Sequence, residues 1–213
     1  MSAIGIVYYF DVLSSWSLIS QPALEAVTTE FGDAVTIDWR VGLFNDGAPL
    51  GESAEKWAWY YTRIEAMTGV KLDPAWRESD DDSTYYPNAV AVAARRLGVT
   101  GDTVRLALAR AAMFDGRKVQ HREIALDVAV EASGLGRESL SAAVDDRLTF
   151  AELSRTTREY RALPVNVLPV FQVTNALGDV AILSGYFQAR SLRAVVGENV
   201  ETLRRYDAFM AGA

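Results

Sequence analysis

Two serines, Ser14 and Ser17, flank Ser15 and Trp16 where an apolar strand pattern gives way to a helical one. A hydroxyl at or just before a helix N-terminus sits where unpaired N–H groups and the macrodipole favour negative charge. It can donate a hydrogen bond to a bound thiolate and favour its ionised form, or it can simply cap the helix, for which serine is a preferred residue. The sequence contains no cysteine, so dithiol exchange is excluded and any sulfur chemistry must use a thiol brought by a ligand. His121 is the only histidine, the single donor for a triad, a metal site or an imidazole base. It precedes a predicted helix and reads as a surface or helix N-terminal residue, with a role in a cleft between domains as the alternative. Asn45 and Asn88 are amide contacts to a ligand or, more simply, turn and capping residues. Trp57, Trp59, Tyr60 and Tyr61, with Trp76, Tyr85 and Tyr86, either pack a core or line an apolar pocket for an aromatic molecule. The charge run Glu78 to Asp82 lies beside Ser79, Ser83 and Thr84. It offers oxygen ligands to a hard cation but reads first as a solvated loop, and no metal is expected. No phosphate loop, dinucleotide fingerprint or paired-carboxylate hydrolase signature stands out.

The elements that must position these residues are legible in outline. At 213 residues, half of them hydrophobic, the chain can bury one sizeable core or carry a large insertion in a compact domain. Its apolar stretches are broken well before the roughly 20 residues of a membrane span, so no membrane partner is expected. The stretch Met1 to Val7 lacks a basic segment and a cleavage site and runs straight into a strand, which predicts a cytoplasmic protein. A net charge of −7 opposes binding to phosphate backbones and argues against nucleic acid. Ile4 to Phe10 is rich in branched and aromatic residues and reads as a strand buried on both faces, ending at Asp11. A helical set from Leu18 to Phe31 follows, and then a strand over Ala34 to Val41 and a loop through Asn45-Asp46-Gly47. From Glu52 to Ala162 the periodicity is helical, with segments near 53–68, 87–97, 102–115, 121–133, 137–145 and 149–161 divided by glycines. Leu168 to Val173 and Val180 to Ser184 read as a hairpin around Asn175 to Asp179. Gln188 to Val196 and Val200 to Met210 read as two closing helices. The order β-α-β, helical block, β-β-α predicts an α/β fold with the insertion as a lid.

That order, together with Tyr9-Phe10-Asp11-Val12-Leu13-Ser14-Ser15-Trp16-Ser17, resembles the thioredoxin-fold group of DsbA-family oxidoreductases, kappa-class glutathione transferases and 2-hydroxychromene-2-carboxylate isomerases. In this register Ser14 falls on the nucleophilic cysteine of the first and on the thiol-activating serine of the others, Ser17 falls on the second cysteine, and Ser15 replaces the usual proline. The resemblance continues through Trp39-Arg40-Val41-Gly42-Leu43-Phe44-Asn45, Arg117 to His121 with the helix through Ile124, Leu126 and Val128, Val167-Leu168-Pro169-Val170-Phe171 and Leu183-Ser184-Gly185. It implies a thioredoxin-like domain of residues 1–51 and 163–213 and an inserted helical domain of residues 52–162. It also implies a cis peptide before Pro169. Ser14 becomes the catalytic position, with Ser15, Trp16, Ser17, Asn45, Leu168, Pro169, Gly185 and Tyr186 as ligand contacts. Kappa-class proteins carry Ser-Asp after the glycine, where this chain has Tyr186-Phe187, closer to DsbA-like members. The group implies glutathione as the thiol, but this departure removes the carboxylate that would bind its γ-glutamyl end, so another low-molecular-weight thiol, or none, stands equally beside it. The expected partner is a small apolar aromatic substrate, with an isomerase or transferase reaction. The alternative is a non-catalytic peptide- or ligand-binding module, and a homodimer is left open.

Overall fold

The computed structural model describes residues 4–77, 83–185 and 188–212. Contacts divide the chain into two compact units, Met1–Phe10, Ile19–Arg40 and Pro164–Ala213 in one and Asp11–Leu18 and Val41–Leu163 in the other. The α/β thioredoxin-like architecture with a helical insertion is borne out.

The first unit is built on a four-stranded mixed sheet of order β2-β1-β3-β4, with β1 Ile4–Phe10, β2 Val35–Val41, β3 Val170–Asn175 and β4 Val180–Ser184. β1 runs antiparallel to β3, with Ile6 opposite Val173 and Tyr8 opposite Phe171, and β3 runs antiparallel to β4. The central position of β1 explains its near-continuous apolar run. Tyr8 stacks on Phe171 at 5.1 Å and on Phe10 at 5.6 Å, and Phe10 meets the Trp39 ring edge-on at 5.5 Å. The helical set after Ser14 is not one helix but two, α1 Ser15–Ile19 and α2 Gln21–Phe31. Pro22 lies in the first turn of α2, where it has no N–H to give and its ring would clash with the Leu18 carbonyl of a continuous helix.

At the other end of the chain the correction runs the opposite way. A single helix, α9, covers Ala189–Gly212. A Cβ at Gly197 would make ordinary contact with the Phe31 ring at 3.7 Å, and a lone glycine within a helix costs only about 1 kcal/mol. Asn199 adds support by donating to the Val195 carbonyl and accepting from Asn175. Asn175 in turn closes the β3–β4 hairpin, its Oδ1 accepting the N–H groups of Leu177 and Asp179, each at 3.0 Å.

The second unit is helical: α3 Ala54–Thr68, α4 Tyr85–Arg96, α5 Thr103–Met113, α6 Arg122–Ser133, α7 Arg137–Asp145 and α8 Arg147–Arg161. α4 is its axis and packs against α5, α6, α7 and α8. Every residue from Pro87 to Ala94 is buried, and the alternation of Ala and Val there lets four neighbours approach closely. Of the aromatic residues, Trp57, Tyr61 and Trp76 belong to the core, Trp76 donating through Nε1 to the Tyr61 hydroxyl at 2.6 Å, whereas Trp59 is 56% exposed. His121 is exposed at the N-cap of α6. The charge run of residues 78–82 lies outside the described residues. No helix among them is long and apolar enough to cross a membrane.

Candidate functional site

β1 delivers the chain into a turn at Asp11, and the donors and acceptors of that turn are consumed within the second unit. The Asp11 carbonyl accepts the Ser14 N–H at 2.9 Å, and its Oδ1 accepts the Leu13 N–H at 2.8 Å. The remaining carboxylate oxygen, Oδ2, accepts the Phe44 N–H at 3.1 Å and the Thr84 hydroxyl at 2.6 Å. Val12 donates its N–H to Asn88 Oδ1 at 3.0 Å, and Asn88 Nδ2 donates to the Thr84 carbonyl at 2.8 Å. Asp11, Thr84 and Asn88 are all buried, so each of these polar groups must find its partner inside the protein. Asn88 thus spends both ends of its amide on the turn rather than on a ligand.

Burial pushes the Asp11 carboxyl up from 3.8 to about 6, and the hydrogen bonds from Thr84, Phe44 and Leu13, with the Asn88 amide close by, pull it back only in part. The loop that brings Phe44 to this carboxylate depends on Gly42. A Cβ there would lie 2.8 Å from the Tyr160 ring of α8, so only glycine lets the loop pass beneath that ring. Leu43 is fixed next, its N–H donating to Thr157 Oγ1 at 3.1 Å.

Ser14 occupies the N-cap of α1. Its Oγ accepts the Ser17 N–H at 3.2 Å and its carbonyl accepts the Leu18 N–H at 3.1 Å. An accepting hydroxyl still holds its own proton, which it can donate to a further partner. Ser15, Trp16 and Ser17 are buried. The Arg63 guanidinium of α3 stands 5.2 Å from the Trp16 ring and 5.5 Å from the Trp59 ring, a cation held between two indole faces. Asn45 is exposed with φ of 45°, and its Nδ2 donates to the Pro49 carbonyl at 2.7 Å, so its amide serves its own loop. A groove of about 440 Å³ in this unit has a mixed lining, with Tyr85, Phe150 and Leu153 on one hand and Asp46, Arg158 and Arg161 on the other.

Leu168, Pro169 and Gly185 belong to the first unit and come together there. The Leu168–Pro169 peptide is cis. Gly185 donates its N–H to the Pro169 carbonyl at 2.9 Å, and Ser184 Oγ donates to the Val167 carbonyl at 2.7 Å. Gly185 has φ of 95°, a conformation that residues with a Cβ rarely adopt. Tyr186 lies outside the described residues.

The Asp11–Thr84–Asn88 network is what sequence reasoning missed. Its signal was a carboxylate placed directly after seven residues of buried strand with no lysine or arginine beside it, a position that forces either a partner or a proton.

No curated protein matches the sequence. Among solved structures, the cytosolic disulfide reductase DsbM from Pseudomonas aeruginosa is similar at a TM-score of 0.74 and 20% identity, over 93% of this chain and 99% of that one. DsbM with GSH gives 0.72 and 21%, over 92% and 99%. A 2-hydroxychromene-2-carboxylate isomerase gives 0.64 and 16%, over 97% and 98%. At these identities the likeness is one of fold. The model of the DSBA-like thioredoxin domain matches residues 5–196, nearly the whole chain, and on that match the chain belongs to the DSBA-like thioredoxin domain family.

Proposed function

We propose that the protein is a cytoplasmic thiol-dependent isomerase or transferase in which Ser14 holds the sulfur of a low-molecular-weight thiol and Ser15, Trp16 and Ser17 contact the ligand. The observation that carries this reading is the Ser14 hydroxyl itself. Its oxygen is fixed by the Ser17 N–H, the main-chain N–H groups of the preceding turn are already satisfied, and its proton remains for a ligand. A pre-oriented donor of this kind favours a thiolate over a thiol. The composition, free of cysteine, confines the protein to a borrowed thiol, and a structural neighbour is described with GSH. The groove beside Leu43 and Tyr85 is of a size for a small molecule, with Phe150 and Leu153 for its apolar part and Arg158 and Arg161 for a polar one.

The test is calorimetric titration with glutathione and with mycothiol, on the wild type and on Ser14→Ala. Binding of one thiol, weakened about 10- to 100-fold by the substitution, is expected for a hydrogen bond to a charged group. Absence of heat with both thiols overturns the reading. A second reading, a ligand-binding module without chemistry, is favoured by one observation: Ser14 is only 4% exposed. Thiol binding that Ser14→Ala leaves unchanged would transfer the weight to it.

A further inference from the structure

We propose that Asp11 is the positioning residue of the Ser14 turn: as a carboxylate it ties the turn, through Leu13, to Phe44 and Thr84, and on taking a proton it loosens its hold on Phe44. The proposal deepens the Ser14 reading and rests on it for the effect on a ligand, while the behaviour of the turn can be measured independently.

The argument starts from which donors can reverse. Asp11 receives three hydrogen bonds through its carboxylate, from Leu13 N–H, Phe44 N–H and the Thr84 hydroxyl. Two are main-chain amides, which only donate. The third is a hydroxyl, which can turn and accept. An added proton therefore goes to Oδ2, the oxygen facing Thr84, and is donated to Thr84 Oγ1. Phe44 shares that same oxygen, so its N–H then faces a neutral hydroxyl instead of a charged oxygen, and a neutral hydrogen bond is roughly half as strong as a charge-assisted one. Leu13 keeps a carbonyl-like acceptor on Oδ1. The Ser14 turn thus keeps its local closure, while its tie to the loop that follows β2 slackens.

The surroundings bring little competing charge. α4 presents neutral Thr84 and Asn88, the loop after β2 presents the Phe44 N–H, and α8 brings Tyr160, a phenol raised mainly by burial and further by the Asp11 charge, against the opposing effect of Arg161. It stays neutral across the range in which Asp11 changes. Because burial holds the Asp11 titration near 6, the change falls close to neutral pH.

The experiment is a pH titration of the full chain, carrying ¹³C in its aspartate carboxyls and ¹⁵N in its amides and followed by NMR. The Asp11 carboxyl is expected to titrate with a midpoint near 6, with the Phe44 amide shift tracing the same curve. Asp11→Asn assigns the carboxyl signal by its loss. Thr84→Val, which removes the reversible hydroxyl and keeps the shape, is expected to move the midpoint upward; it also keeps the test open where Asp11→Asn fails to fold. An Asp11 midpoint at the ordinary 3.8, or a Phe44 amide that stays still while Asp11 titrates, overturns the proposal. Intact co-titration in a protein that binds neither glutathione nor mycothiol overturns the thiol reading alone.

Discussion

The stretch from Asp11 to Ser14 and the stretch from Val167 to Pro169 are both held at a turn, by opposite means. The first is buried and tied by side chains from far along the chain, Thr84 and Asn88. The second is tied to its hairpin partner by the Gly185 N–H and by an accessible Ser184 hydroxyl. Concentrating several hydrogen bonds on one buried carboxylate makes the first turn sensitive to a single substitution and to a single proton. A turn held by a main-chain amide and an accessible hydroxyl has no titrating group in these ties and little to lose with the hydroxyl.

The sharpest way to break the comparison is Asp11→Ala. It strands the Leu13 and Phe44 N–H groups and the Thr84 hydroxyl, at about 1–3 kcal/mol per buried group, so a loss of about 4 kcal/mol is expected by urea denaturation. A loss no larger than that of a surface substitution would show that the network is not structural. A somewhat smaller effect is expected in pH dependence. The folded-state pKa of about 6 lies above the unfolded value of 3.8, so the folded protein binds the proton more tightly. Asp11 therefore contributes stability that is fully present below 3.8 and is lost as pH rises through about 6. A shift of that size corresponds to about 3 kcal/mol, readable as the change in the wild-type minus Asp11→Asn difference across this window. A flat difference would place the Asp11 titration elsewhere. Raising pH thus lowers global stability while it strengthens the grip on Phe44. The smallest effect is expected at the other turn: Ser184→Ala should cost at most about 1 kcal/mol, with no change in pH dependence. A larger loss would erase the contrast.

The parts of the molecule legible in the sequence are those in which burial acts on neighbours. β1 declares itself because each residue from Ile4 to Phe10 is branched, aromatic or small, and the insertion helices because their apolar faces recur within single segments. The break between α1 and α2 was present in Pro22 but masked by the apolar pattern on either side. α9 went the other way, since Gly197 and Asn199 look like punctuation until Phe31 and Asn175 are seen to occupy them. Ser14 to Ser17 could be found, because their spacing is local. The Asp11 network could not, because Thr84 and Asn88 act across 73 and 76 residues, and no local pattern records such a pairing. Asn45 and Asn88 looked alike in sequence, yet one closes a surface loop and the other anchors a buried turn.

The ties that hold the Ser14 turn reach it through the main-chain N–H groups of residues 12, 13 and 14. None of them grips the side chain at position 14, whose oxygen accepts the Ser17 N–H on the helix side of the turn. The identity of that residue is therefore uncoupled from the frame that presents it, and a lineage could exchange a thiol for a hydroxyl there, or reverse the exchange, without rebuilding the scaffold beneath.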